Sequence, residues 1–261
     1  MIATWSVGRA DRHMDEAILV ELGDLVRRHP WWQARARLTV ALLEQMGVSP
    51  PARLLDAGCG WGVTLDALER RGYRPTGLDV SRRILEQLDR PGRELIEADL
   101  TRPWPVADQP RFDAVLALDV IEHLDDDRAA VARLGELVRP GGGILVVSVP
   151  ARPELFGEFD AVQGHRRRYV PETLESAFAD SGLRIDRIFW WGAWLLPLLR
   201  RRGRRPRPAG ESAARIYGRY LRLPPWPGPW VLRLGFALEQ PRALGRKLRT
   251  GTSLFAVARR P

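Results

Sequence analysis

The feature that most constrains this chain is the run LLDAGCGWG at residues 54–62, where an apolar stretch closes on an acid and then on three glycines in five positions. Such a run predicts a buried strand that turns sharply into a helix. The rhythm recurs. Short apolar runs fall at 53–57, 73–79, 93–98, 111–119 and 143–149, with helical spacing over 62–71, 81–89 and 125–138 between them. Strands alternating with helices predict βαβ units, hence an α/β fold whose parallel sheet is covered on both faces. Upstream, apolar residues at helical spacing predict helices over 11–29 and 31–47, separated by His29-Pro30. Downstream, Pro171 opens a helix over 171–181, and 183–189 and 252–260 read as two further strands.

Composition serves mainly to exclude. With 45% hydrophobic residues in 261, the chain has ample material for a core and is not a disordered chain. Cys59 is the only cysteine, which excludes a disulfide scaffold. No stretch reaches the roughly 18–20 apolar residues of a spanning helix. The N-terminal residues show no secretory signal, so a cytoplasmic protein is expected. Charge is segregated along the chain. Residues 1–183 carry a balance of −6, whereas 184–261 hold 18 basic residues and three acids, a balance of +15. Of the 41 basic residues 40 are arginine, which points to a coding bias; bias does not account for the segregation. The basic end is expected to face something anionic or interfacial.

The glycine run sits where an open α/β sheet binds ligands, at the carboxyl edge of a strand. Gly58 and Gly60 let a ligand approach the backbone closely, and the third glycine, Gly62, comes one residue too early for a dinucleotide fingerprint. Asp79 ends the next strand (TGLDVS) and could accept from both hydroxyls of a ribose. Asp99 follows the third strand (IEADL) and could accept from an exocyclic amine, while Leu100 offers backbone N–H to a ring. Cys59 reads as a small filler of the loop, since nothing basic beside it in sequence would lower its pKa.

DAGCGWG, LDVS, EADL, FDAV with DVIEHL, and RPGGGILVVSVP, taken together over residues 52–150, resemble the Rossmann-like, seven-stranded S-adenosylmethionine-dependent methyltransferases of the small-molecule branch. The resemblance implies a three-layer sandwich with a mostly parallel sheet of order 3-2-1-4-5-7-6 and strand 7 antiparallel. It implies S-adenosylmethionine as cofactor. Asp56 and the loop Gly58, Cys59, Gly60 and Gly62 would hold the methionine portion, Asp79 with Val80 the ribose, and Asp99 with Leu100 the adenine. Leu118 and Asp119, with His123 in the turn after the fourth strand, would flank the sulfonium. Trp61 departs from the small or polar residue usual in that loop; it could cap the methionine end or pack on the first helix. No metal-ligating motif is present.

Two histidines could take a proton from an acceptor. His123 could instead shield the cofactor or fix its loop. His165 lies in QGHRRRYV, which resembles a G-H-x-x-R-Y element of some bacterial small-molecule methyltransferases; there His165 would be a base with Arg168 or Tyr169 orienting it. The other reading is a structural turn in which Tyr169 packs and the arginines are solvated. Arg35 could reach the methionine carboxylate, though a solvated helical face suits it as well.

The organisation expected is an N-terminal helical cap over 1–50, a core over 51–189 and 251–261, and an insertion over 190–250 between strands 6 and 7. That insertion is rich in arginine, tryptophan and proline. Its start, Phe189–Leu199, packs three tryptophans, a phenylalanine and four leucines into eleven residues, with six arginines following within 200–207. Three readings stand: an interfacial segment touching a membrane through 189–207, a lid over a hydrophobic acceptor, or a packed helical subdomain. The acceptor expected is a small, hydrophobic or lipid-like molecule. The pI of about 10.8 raises nucleic-acid methylation as a second class, against which stand DVIEHL and the lack of a recognition module. A non-catalytic adaptor that binds S-adenosylmethionine at a membrane surface is a third class. Oligomeric state is not legible.

Overall fold

Residues Arg53–Ala57 (β2) form the strand ahead of the glycine turn, and in the computed structural model of the chain they lie near the middle of an eight-stranded sheet. The structure describes residues 2–6, 18, 21–102, 104, 109, 111–202 and 211–261. The remaining strands are Ile2–Thr4 (β1), Arg74–Asp79 (β3), Glu94–Glu97 (β4), Ala114–Leu118 (β5), Ile144–Pro150 (β6), Arg184–Trp191 (β7) and Ser253–Arg259 (β8). Their order is β1-β4-β3-β2-β5-β6-β8-β7. Neighbours pair in parallel except β8, which runs antiparallel to both β6 and β7. From β4 to β7 this is the expected 3-2-1-4-5-7-6 sheet, with strand 7 antiparallel.

One strand is extra. Ile2–Thr4 adds to the free edge of β4 with Ile2 opposite Leu95, inside a stretch expected to be a helical cap. Three residues are too few to show a period, so the sequence gives no strand signal there. Of the helix expected over 11–29, residues 11–17, 19 and 20 lie outside the described residues, and the described part includes Gly23–Arg28 (α1). Next come Pro30–Gln45 (α2), Val63–Arg70 (α3), Arg82–Leu88 (α4), Asp127–Leu137 (α5), Glu158–Gln163 (α6) and Pro171–Ser176 (α7). The insertion contributes Leu196–Arg202 (α8), Ala213–Leu221 (α9) and Gly228–Leu244 (α10).

Alternation along the strands decides which helix covers which face. Leu55, Val115, Ala117, Leu145 and Val147 point to the side covered by α5 and α7. Leu54, Ala114, Leu116, Ile144 and Val146 point to the side covered by α2 and α10. β5 and β6 are buried throughout, as parallel central strands must be. His29 caps α2, its Nδ1 accepting from Trp31 N at 3.2 Å, and Pro30 occupies the first turn, where no N–H is needed.

The run Phe189–Leu199 does not behave as one surface. β7 extends through Trp191, so Phe189 and Trp191 enter the core between the sheet, α2 and α10. Trp191 is 1% exposed and packs on Trp31, Phe236 and Phe255 at 5.4, 5.2 and 6.0 Å between ring centroids. Leu196 is buried as well. The expectation of an interfacial face or lid over this whole run is therefore corrected: its first three residues are sheet. Arg204, Arg205 and Arg207 lie outside the described residues. Glu239 of α10, itself buried, accepts from Gly192 N at 2.5 Å and Trp194 N at 3.1 Å, fastening the insertion to the end of β7. Among the described residues, no helix is long and apolar enough to cross a membrane.

Candidate active site

A cavity of about 950 Å³ opens at the carboxyl ends of β2, β3 and β5 and runs beneath the insertion. Its floor is the glycine turn. Gly60 has φ +45°, and a Cβ placed there would meet nothing nearer than a backbone oxygen at 4.0 Å, so the backbone is open to a ligand. Gly58, at φ +76°, is glycine for another reason: a Cβ would lie 2.5 Å from the Val120 side chain. Gly62 does not line the cavity; it caps α3 and packs against Leu88.

Asp56, Cys59, Asp79, Val80, Leu100, Leu118, Asp119, His123 and His165 all line the cavity. Asp79 accepts from Gly60 N at 2.9 Å and from Ser81 N at 3.0 Å, which fixes its carboxylate at the strand end. Asp56 is buried, and burial, opposed by Arg35 and reinforced by Asp79, pushes its carboxyl up to about 7. Burial and the carboxylates of Asp79 and Asp56 also push the Cys59 thiol up, in keeping with a filler.

Asp119 sits at φ 58°, a left-handed position that aspartate tolerates better than most residues. Its Oδ2 pairs with Arg35, whose NH1 also donates to Leu118 O at 3.3 Å. Arg35 is thus no solvated surface residue. Its buried Nε–H finds no acceptor among the described residues, and the residue lines the cavity.

Two expected positions fall elsewhere. Asp99 is buried but does not line the cavity. Its Oδ1 accepts from Thr101 N and Oγ at 2.8 and 2.6 Å, closing a turn on itself. Tyr169 is also off the cavity wall. Its hydroxyl donates to Asp127 Oδ2 at 2.8 Å, and burial together with Asp127 raises its pKa, so the catalytic role expected of it gives way to packing.

His165 is held on both sides. Its Nδ1 lies 3.0 Å from Asp160 Oδ1, and Arg168 donates to both oxygens of Asp160 at 2.8 and 3.0 Å. Burial opposes the charge on Asp160, yet the hydrogen bond from His165, the Arg168 guanidinium and Gly157 N–H hold its carboxyl below the usual range. His165 Nε2 lies 3.8 Å from Glu122 Oε1, and His123 meets the His165 ring edge-on at 4.8 Å. Glu122 is fully buried, neither of its oxygens has a hydrogen-bond partner among the described residues, and burial, then Asp119, raise its pKa. Glu122, His123 and His165 bring ligand atoms within 4.8 Å of one another.

The far wall is apolar. Leu195, Leu198 and Leu199 come from the start of the insertion, Tyr217 and Leu221 from α9, and Leu232 and Phe236 from α10. Trp61 does neither of the two things expected of it alone: it lines the cavity, stacks on Tyr217 at 6.4 Å and meets Trp32 edge-on at 6.1 Å, joining α2 and α9 to the glycine turn. His29 lines the cavity too, and burial lowers its pKa to about 4, leaving a neutral ring.

A family model described as a methyltransferase domain matches residues 31–188. The chain belongs to that family. S-adenosylmethionine is the cofactor that such a domain implies. The residues fit it: an open glycine cradle at Gly60, a fixed carboxylate at Asp79 and the cation of Arg35 line one cavity.

Among sequence relatives, the ubiquinone biosynthesis O-methyltransferase of Alkalilimnicola ehrlichii is 34% identical over 109 residues, 40% of this chain and 44% of that one. The enzyme of the same name from Leptothrix cholodnii is 28% identical over 144 residues, 49% and 61% of the two chains. The chain thus spans about half the length of the curated relatives it matches. Among solved structures, a chain of the Haloferax volcanii complex between the Trm112 methyltransferase activator and a methyltransferase aligns with TM-score 0.61 and 19% identity, covering 97% of this chain and all of that one. That likeness establishes the fold.

Proposed function

We propose that the protein transfers the methyl group of S-adenosylmethionine to a hydroxyl on a small acceptor with a large apolar body. The observation that carries this reading is that one cavity holds both halves of the problem, with the glycine turn and Asp79 at one end and the apolar wall of the insertion at the other. The cofactor supplies a sulfonium methyl with a good leaving group, so the protein's task is to align the acceptor and exclude water. Asp56 and the Gly58–Gly62 loop hold the methionine end, where the Arg35 Nε–H can meet a carboxylate. Asp79 takes the ribose hydroxyls. Val80 and Leu100 hold the adenine, with Asp99 shaping the turn behind them.

In this reading His165 is the base. Asp160 accepts a hydrogen bond from Nδ1–H and so leaves Nε2 as the acceptor nitrogen. An imidazolium formed on proton uptake lies against the Asp160 carboxylate, which stabilises the charge through Nδ1. His123 shields the sulfonium side and buttresses His165. The O-methyltransferase names of the matched relatives favour oxygen as the methylated atom. Residues 190–250 act as a roof on the core formed by 51–189 and 251–261, with 1–50 closing the cofactor side. A lone buried cysteine suits the reducing cytoplasm, and the inner face of the membrane is the place to meet a lipid-like acceptor.

The test is to incubate the protein with methyl-labelled S-adenosylmethionine and a bacterial lipid extract. Label is expected in a solvent-extractable product with the wild type and not with Asp79→Ala. Label in added nucleic acid, or none anywhere, contradicts the proposal.

A further inference from the structure

The helix α10 is apolar on two sides. Phe236, Glu239 and Ala243 are buried against the core, and Leu232 and Phe236 line the cavity. A helix at a protein surface is expected to turn a polar face outward. This one does not. Trp230, Leu234 and Leu238, spaced by four, share the outward face with Val231, at 60%, 40%, 61% and 48% exposure. Trp226, in the preceding turn, is 87% exposed. These five make up most of the large hydrophobic side chains that lie bare among the described residues, and an apolar stripe of this kind marks a contact surface.

Charge says what covers it. Over residues 221–250 the charged side chains are Arg222, Arg233, Arg242, Arg246, Lys247, Arg249 and Glu239. All six cations are exposed, and the one acid is buried. A second copy of the chain would bring the same cations against these, so self-association through this face is repulsive. A stripe of tryptophan and leucine within a field of cations matches a helix lying in the headgroup region of an anionic bilayer, with the indoles at the interface and the arginines on lipid phosphates.

We infer that the outward face formed by Trp226, Trp230, Val231, Leu234 and Leu238 docks the protein on an anionic lipid bilayer. This moves the membrane contact from the segment 189–207, much of whose apolar content is core, to 226–238. It also places the bilayer beside the cavity, because α10 presents Leu232 and Phe236 inward and Trp230 and Leu234 outward. Passage of a bilayer-dissolved acceptor into the cavity rests on the function proposed above; the docking itself does not.

The experiment is co-sedimentation of the full chain with vesicles of equal parts phosphatidylglycerol and phosphatidylcholine, and with vesicles of phosphatidylcholine alone. No cofactor or acceptor is added, so failure of methyl transfer and failure of docking are read separately. The wild type should partition onto the anionic vesicles about tenfold or more better than onto the neutral ones. Trp226→Ser with Trp230→Ser and Leu238→Ser should remove about nine-tenths of that binding, with melting temperature and S-adenosylmethionine affinity unchanged because the three side chains are exposed. Arg233→Glu with Arg242→Glu should abolish the preference for anionic vesicles. The inference is overturned if the wild type stays in the supernatant with both vesicles, or if the tryptophan variant binds as the wild type does. Light scattering that shows a dimer lost in the tryptophan variant also overturns it, since the face would then belong to a second copy.

Discussion

The two ends of the cavity were built by different rules. At the cofactor end, most polar wall residues lie at a strand's carboxyl end or in the turn after it, Asp56 in β2 and Gly58 beyond it, Asp79 closing β3, Leu118 closing β5 and Asp119 beyond it, with Arg35 brought in from α2. At the acceptor end the wall is gathered from α6, α8, α9, α10 and the loop before α7, and its polar core is one histidine held by residues from two other elements. Position along a strand thus decides chemistry at one end, whereas tertiary packing decides it at the other. The first is robust to the details of side chains outside it. The second depends on a roof whose own stability comes from tryptophans packed elsewhere.

The largest expected effect separates that packing from acceptor contact. Trp191→Ala should lower stability by about 3–5 kcal/mol, the usual cost of removing a buried tryptophan, read as a fall in denaturation midpoint. An unchanged midpoint would mean that Trp191 serves a surface and that the two ends are less different than described. His165→Ala comes next. Turnover should fall roughly a hundredfold while S-adenosylmethionine affinity stays within about twofold, the pattern of a lost base. Tyr169→Phe, by contrast, should leave turnover alone. Equal turnover in wild type and His165→Ala would reduce the Asp160–His165 pair to scaffolding.

Asp79→Ala should weaken S-adenosylmethionine binding by about 1.5–3 kcal/mol in a calorimetric titration, since charge-assisted hydrogen bonds are lost and Gly60 N is left without its acceptor. Unchanged affinity would break the assignment of the cofactor end.

The smallest effect is one of pH. The Asp56 carboxyl, held at about 7 in the fold, must ionise to meet a cationic methionine amine. Affinity should therefore rise about tenfold between pH 6 and 8, with the same dependence lost in Asp56→Asn. The sign for stability is opposite. The folded chain keeps the proton that the unfolded chain has released above 3.8, so in the absence of cofactor this residue lowers stability as pH rises from about 4 to about 7.

The difference between the two ends also explains what the sequence made legible. The strands at 53–57, 73–79, 111–119 and 143–149 could be read because each is a short run with its turn attached, and their order was implied by the resemblance to the methyltransferases. Asp99 was misplaced because a strand-end acid followed by Leu-Thr can close a turn on Thr101 as readily as it can face a ligand. Arg35 looked like one helical arginine among several; its partner Asp119 is 84 positions away, and no local pattern joins them. Glu122 reaches His165 in the same way, from the turn after β5, whereas Asp160 stands only five residues before it. Tyr169 was credited with chemistry through its place in the G-H-x-x-R-Y element, whereas its hydroxyl is taken by Asp127, 42 positions away in sequence. Finally, the aromatic density of Phe189–Leu199 was visible, but density alone does not tell a strand entering a core from a surface, and the bare face lies further on, from Trp226 to Leu238, in a stretch that composition had marked as rich in arginine, tryptophan and proline without showing which side chains lie bare.

The measurement that tests the central claim most directly is methyl transfer to a pair of acceptors that share a head and differ in their apolar body, catechol and a long-chain 4-alkylcatechol, at saturating S-adenosylmethionine. Burying several methylenes against the wall of Leu195, Leu199, Leu232 and Phe236, at about 0.8 kcal/mol each, should raise kcat/KM for the alkyl compound at least tenfold over catechol, and Phe236→Ala should erase most of that gain without changing cofactor affinity. Equal kcat/KM for the two acceptors, or a gain that survives Phe236→Ala, would contradict the claim that the insertion forms the acceptor end of the site.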